Sequence, residues 1–291
     1  NDMTKQEYPR ADLHVHSTYS DGSYSVEKLV RRAAIRGLSV LSLTDHDSVM
    51  GVDEAIDLAS GTDLDIIPGI EFSSHFEDTS IHVLGYFLDH HHPDLTAYLE
   101  TCARRRFERT EKIVSKLQDL GYEITLDLVL RQSGGGVIGR PHIASALVEI
   151  TDYPDMKAVF RDLLVKGKPA YVPKPTFNTG QIIELIHETG GVASIAHPKT
   201  IGDDSLIPKL VHRNLDAIEV VHSSHSLRDI EKYSAMADQY GLVISGGSDC
   251  HGNRIGREII GRYTISLEQV ERLRSQIGKR MPAKQQTIEE Q

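Results

Sequence analysis

Short apolar runs rich in β-branched residues alternate with amphipathic stretches along this 291-residue chain, and that rhythm restricts the fold more than any other feature. It is the pattern of βα units wound about a sheet covered on both faces. Strands are expected at residues 11–16, 38–44, 65–71 and 81–87, and again at 192–196, 217–221, 242–246 and near Tyr263. Helices are expected at 26–36, 52–59, 205–212, 227–240 and 267–277. In the first of these Val26, Leu29, Val30, Ala33 and Ala34 share one face between a Ser25 cap and Gly37. The third and fourth strands follow each other without a helix, so the winding is irregular there. A composition of 39% hydrophobic and 25% charged residues supports a sizeable core and excludes disordered or collagen-like chains.

Between residues 87 and 192 the alternation stops. A long charged helix, 95–120, carries Arg104, Arg105, Arg106 and Arg109, which read as a solvated face. A glycine-rich stretch at 132–139 and helices at 141–149, 156–165 and 179–188 follow. The expected organisation is a barrel built from 11–103 and 175–278, a helical insertion at 104–174 covering its site, and a polar tail at 279–291.

Forty-two acidic against 32 basic residues give a net charge of −10, a poor footprint for duplex DNA. A small anionic partner needs bound cations that reverse the local field. No run of eighteen apolar residues and no apolar signal-like start occur, so no membrane partner and a cytoplasmic location are expected. Cys102 and Cys250 are too few for a disulfide framework.

Fifteen histidines make up about 5% of the chain, at which level roughly one His-x-His pair arises by chance. Their placement carries more weight. His14, His16, His46, Glu71, His197, His222, Asp249 and His251 all fall at the expected carboxyl ends of strands. In a parallel barrel those ends converge on the face where active sites are built. Period-two alternation puts His14 and His16 on one face, pairs Asp249 with His251, and turns Cys250 away. Asp12 shares the histidine face and is placed to orient a ligand.

The segments His14-Val15-His16-Ser17-Thr18-Tyr19-Ser20-Asp21-Gly22, Thr44-Asp45-His46, Gly69-Ile70-Glu71, Ala196-His197-Pro198 and Ser248-Asp249-Cys250-His251 resemble, in order, the motifs of the polymerase and histidinol phosphatase (PHP) phosphoesterases. The inserted Gly139-Arg140-Pro141-His142 segment resembles the subgroup of 3′,5′-nucleoside bisphosphate and AMP phosphatases. The resemblance implies a distorted seven-stranded (β/α) barrel with an inserted helical subdomain and two to three divalent metals. It assigns His14, His16, Glu71 and Asp249 to the first metal. Glu71 as a bridge, His82 and His197 serve the second, and Asp21, His46 and His251 the third. Imidazole and carboxylate donors without thiolate favour Mn²⁺, then Fe²⁺ or Zn²⁺, over Mg²⁺.

Three such ions would outweigh the charges of Asp21, Glu71 and Asp249 and attract a phosphate dianion. They would also lower the pKa of a water bridging them toward about 7 and make it the nucleophile. Arg140, His142, Lys168, Lys199, His222 and His225 are the candidates for holding the substrate, with Arg140, His142 and His222 also candidates for the chemistry. The expected activity is hydrolysis of a nucleotide phosphomonoester, a 3′,5′-bisphosphonucleoside or AMP, by a monomer that releases phosphate. Histidinol phosphate and short single-stranded oligonucleotides are alternative substrates, and a non-catalytic metal-binding module is the reading from outside enzymes. The run His90-His91-His92 reads as a solvated turn.

Overall fold

The structure, a computed structural model, describes residues 9–174, 177–253 and 258–279. The tail expected at 279–291 lies outside these residues beyond Lys279. Strands β1 (Arg10–Val15), β2 (Val40–Leu43) and β3 (Asp65–Phe76) pair in parallel, with α1 (Val26–Ile35) and α2 (Val52–Ala59) as their crossovers. Ser25 caps α1 by accepting a hydrogen bond from the Lys28 N–H, and of the face predicted from spacing Val26, Leu29, Val30 and Ala33 are buried while Ala34 is exposed. Ala11, Leu13 and Val15 are wholly buried, each side chain of that kind contributing about 1–3 kcal/mol, more for leucine than alanine.

β4 (Thr79–Tyr86) departs from the parallel expectation. Only Glu77 and Asp78 separate it from β3, and a parallel return needs a crossover of a dozen residues or so, so β4 must run antiparallel. Its other edge pairs, also antiparallel, with β6 (Val192–Ile195), after which β7 (Ala217–Val221) and β8 (Val243–Gly246) continue in parallel. The strand order is β8-β7-β6-β4-β3-β2-β1, and a bridge between Val15 and Cys250 brings the two ends together. These seven strands form the barrel wall. The two-residue β5 (Phe177–Asn178) joins β3, and β9 (Ile265–Ser266) joins β1.

Helices α7 (Thr179–Glu188), α8 (Leu206–Val211) and α9 (Leu227–Tyr240) cover β6 and its neighbours with a core that includes Ile183, Ile186, Leu210 and Tyr233. α10 (Leu267–Arg274) lies against β8, β9 and β1, burying Val270 and Leu273 in one core with Ala11 and Leu13.

Helix α3 (Pro93–Asp119) is continuous, and the expected insertion boundary at Arg104 falls inside it. Its second half packs with α4 (Leu126–Ser133), α5 (Arg140–Ile150) and α6 (Met156–Val159), which runs on as a π-helical turn, Phe160–Leu164. These segments enclose a core of their own around Leu117, Val129, Ile143, Leu147 and Leu164. α4 is not among the helices that the periodicity predicts, because few of its eight residues are buried.

The barrel seam tolerates no side chain at Gly247, where a Cβ would stand 2.3 Å from the His14 nitrogen. Gly247→Ala is expected to destabilise the protein by about 1–3 kcal/mol, the usual cost of overpacking. Urea unfolding with an unchanged m-value checks this, and a wild-type midpoint contradicts it.

Candidate metal centre and anion cavity

Glu71 lies inside β3 rather than at its end, because the strand runs on into the β3–β4 hairpin. Its carboxylate is 1% exposed and gathers five imidazoles. Oε2 stands 3.2 Å from His14 Nε2, 3.2 Å from His16 Nε2 and 3.1 Å from His46 Nδ1. Oε1 stands 2.8 Å from His82 Nδ1 and 2.9 Å from His197 Nε2. His82 comes from mid-β4, opposite Ser73, and not from a carboxyl end.

All nine sequence-predicted ligands meet here. His14, His16, Glu71 and Asp249 form one group whose ligand atoms lie within 4.8 Å of one another, and His16, Asp21, His46 and His251 form a second. His46 and His82 share Glu71 in a third. Two atoms bound to one divalent ion at about 2.0–2.2 Å stand about 3 Å apart, which is the spacing seen around Glu71. Both ring nitrogens of His16 and the Nδ1 of His46 are buried and form no hydrogen bond. Such atoms are costly unless something coordinates them, so the donor set fits the metals that the sequence implies.

Local backbone geometry aims these groups. His197 (φ 29°) and Asp249 (φ 55°) both occupy the left-handed region that non-glycine residues avoid, so tertiary contacts hold them there. His197 precedes Pro198, which disfavours ordinary helical backbone. Asp12, expected to orient a ligand, instead braces the seam through backbone groups. Its carboxylate accepts from the N–H groups of Ser248 and Gly261, both at 2.8 Å, and burial raises its pKa to about 6 despite those bonds. Asp45 accepts from the Ser17 N–H at 2.8 Å and the Ser20 hydroxyl at 2.5 Å, folding the loop that presents Asp21.

Glu219 is a supporting residue that the sequence reading does not name. Wholly buried on β7, it places Oε1 2.8 Å from His14 Nδ1 and accepts from the His197 N–H at 2.6 Å. Fixing the far nitrogen of a ligand histidine sets its tautomer and orientation. A lone acid within Ala217-Ile218-Glu219-Val220-Val221 is the signal that finds it.

Beside the histidines opens a cavity of about 480 Å³. Asp21, His46 and His82 line it together with Arg106, Arg109, Arg140, His142, Lys174, Phe160 and Tyr171. Arg106 and Arg109 are thus not a solvated face. Arg106 pairs with buried Asp47, whose pKa sits near 2 because the Arg106 and Lys174 charges overcome its burial. The Arg109 guanidinium donates to the Val172 carbonyl, and that of Arg140 to the Leu164 carbonyl. Among the described residues neither arginine forms an ion pair. Burial and the neighbouring Arg140 and Arg106 pull Arg109 down to about 10. Lys174 falls to about 7 through burial and the Arg106 charge.

The remaining sequence candidates divide. His142 lines the cavity while its Nδ1 accepts from the Gly139 N–H at the start of α5. His222 is buried with Nε2 3.3 Å from Asp249 Oδ2, on the side of His14 and Glu219. His225 turns from the cavity, its Nδ1 2.8 Å from the Val220 carbonyl oxygen and its ring against Tyr233. Lys199 pairs at 2.6 Å with Asp229, and the exposed Lys168 does not line the cavity. Cys250 is wholly buried in the core, as its outward face predicts.

The PHP domain profile matches residues 12–165. This chain belongs to the PHP family. It is 34% identical over 247 residues to the 5′-3′ exoribonuclease Rnm of Escherichia coli, covering 82% of this chain and 84% of that one. It is equally 34% identical, over 259 residues, to the 3′,5′-nucleoside bisphosphate phosphatase of Chromobacterium violaceum, covering 86% and 90%. A solved structure from Bifidobacterium adolescentis, described as a metal-dependent phosphoesterase, matches with a TM-score of 0.83 at 29% identity, covering 90% of this chain and 94% of that one. The PHP reading drawn from the sequence motifs, a metal-dependent phosphoesterase on a distorted barrel, stands. Among the described residues no helix is long and apolar enough to cross a membrane.

In the metal-free protein His16 is held protonated. Burial opposes its charge, but Asp249 and Glu71 override that and raise its pKa from 6.5 to about 10. The resulting stabilisation is complete below about pH 6.5 and lost as pH rises through about 10. A ligating imidazole must be neutral, so Mn²⁺ binding to EDTA-treated protein at pH 7 is expected to release protons, fewer as pH approaches 10. Calorimetry in buffers of different ionisation enthalpy measures the release, and none at pH 7 contradicts the arrangement.

Proposed function

We propose that this protein hydrolyses a nucleotide phosphomonoester, a 3′,5′-bisphosphonucleoside or AMP, with Mn²⁺ the preferred metal at up to three positions. The observation that carries the proposal is the pair of guanidiniums, Arg109 and Arg140, which among the described residues form no ion pair and line the same cavity as His46 and His82. A buried cation without a counter-ion is costly, and a phosphate group in this cavity satisfies both. Phe160 and Tyr171 give the same cavity faces on which a base can stack, which a histidinol phosphate does not need.

When bound, the divalent ions supply Lewis acidity and an activated water. The chain's own residues do the rest. His14, His16, Asp21, His46, Glu71, His82, His197, Asp249 and His251 are assigned as ligands, in the three groups that the resemblance implies. Glu219 and Asp12 hold the ligands in register. Arg109, Arg140 and Lys174 draw the phosphate oxygens toward the cluster and fix its orientation. His142, at the cavity wall, is assigned to protonate the leaving oxygen, and His222 to steady Asp249. The insertion 104–174 supplies the cationic wall and so selects the substrate. All of these groups come from one chain, in keeping with a monomer, and the two free cysteines fit a cytoplasmic setting.

Removal of nucleotides from short single strands is a second reading, favoured by the Escherichia coli relative. One assay separates the readings: phosphate and nucleotide release by the Mn²⁺-loaded protein from 3′,5′-bisphosphoadenosine, 5′-AMP, 3′-AMP, histidinol phosphate and a 5′-phosphorylated oligonucleotide. Fastest turnover of a mononucleotide is expected. Faster release from the oligonucleotide or from histidinol phosphate overturns the substrate assignment, and no release from metal-loaded protein overturns the enzyme.

Arg109→Ala and Arg140→Ala each remove a charge-assisted contact of about 1.5–3 kcal/mol, so kcat/KM is expected to fall roughly 10- to 100-fold. Wild-type kinetics in both would return the arginines to bracing the insertion. Lys174 titrates near 7, so its charge is present below that pH and lost above it. KM for the phosphate substrate is therefore expected to rise as pH passes 7. Lys174→Arg, charged throughout, should flatten that rise.

A further inference from the structure

The histidine run 90–92 takes no part in the central cluster, and the fold gives it a defined shape. Asp89 organises the turn. Its N–H donates to the Thr189 carbonyl at 2.8 Å, its carboxylate accepts from the His91 N–H at 3.0 Å, and its carbonyl accepts from the His92 N–H at 3.0 Å. His92 is committed to capping α3, with Nδ1 accepting from the Asp94 N–H. His90 and His91, with ring centroids 4.2 Å apart, both aim Nε2 at one oxygen of Asp53, at 2.8 and 3.2 Å. Asp53 belongs to the first turn of α2, so the three groups come from two separate elements.

We propose that Asp53, His90 and His91 form a peripheral site for one divalent transition-metal ion of the zinc class, distinct from the central cluster. Two neutral imidazoles and one carboxylate are a donor set suited to Zn²⁺ and its borderline-soft neighbours, and unsuited to Mg²⁺. The two Nε2 atoms stand 2.8 and 3.2 Å from the shared Asp53 oxygen, the spacing of neighbours on one ion, and all three atoms lie within 4.8 Å of one another. Asp53 is 62% exposed and His91 68%, leaving water free to complete the coordination shell, while His90 at 12% is fixed by packing. The turn built by Asp89 presets both rings, so binding costs little ordering. An ion here ties α2 to the segment that opens α3, the helix that carries Arg106 and Arg109 to the cavity.

The test counts zinc. Protein first saturated with Mn²⁺ is dialysed against micromolar Zn²⁺, and both metals are measured in wild type, His91→Ala, Asp53→Asn and His92→Ala, with circular dichroism as the folding control. One zinc equivalent is expected to be lost in His91→Ala and in Asp53→Asn, with at least tenfold weaker binding by calorimetry, and retained in His92→Ala. The paired single variants keep the result decisive if either fails to fold. Equal zinc content and affinity in wild type and both variants would show an ion-paired triad only and overturn the site. Because the central ligands are intact in every variant, failure here leaves the phosphoesterase reading untouched.

Discussion

A single carboxylate, Glu71, buried at 1% exposure and facing five imidazoles, is the group on which the rest of the site depends. Burial alone would drive it neutral, yet His46, His82 and His14 hold it well below the usual carboxylate range. The ligands that surround it come from β1, β3, β4 and the loops after β2, β6 and β8. No shorter piece of the chain can assemble the set, so the barrel must close before the site exists. The seam at Gly247, the Asp12 brace and the strained backbone of His197 and Asp249 all serve that closure.

The cavity brings charges of opposite kind together. Its lining combines members of the metal donor set with arginines and a lysine. A chain with net charge −10 thus still presents arginine and lysine charge where an anion is wanted. Arg106 shows the cost of this design: it needs Asp47 as a partner, and that pair is itself buried against Ser73. Arg109 and Arg140 make do with backbone carbonyls, which leaves their charge available.

Much of this was legible along the chain. The helices 52–59, 179–188 and 227–240 and the strand 217–221 have the bounds that their periodicity implies. Every ligand expected from the sequence meets in the cluster: strand ends supply most of them, while Glu71 and His82 lie inside strands and Asp21 in a loop. The cationic wall was harder to see. Nothing local separates Arg106 and Arg109, which face the cavity, from the exposed Arg104 and Arg105, since the distinction depends on which face of α3 the insertion covers. Lys199 and Lys168 illustrate the converse, being near the motifs in sequence and turned away in space.

The sequence by itself determined the βα rhythm, most of the inserted helices and, through the motif resemblance, the metal-type ligands, because apolar period and residue order are local properties. The pairing of Glu219 with His14, the choice of arginines and the meeting of Asp53 with His90 and His91 were decided only by tertiary structure. Each of these is a contact between segments far apart in the chain, fixed by how the barrel closes and not by the residues on either side.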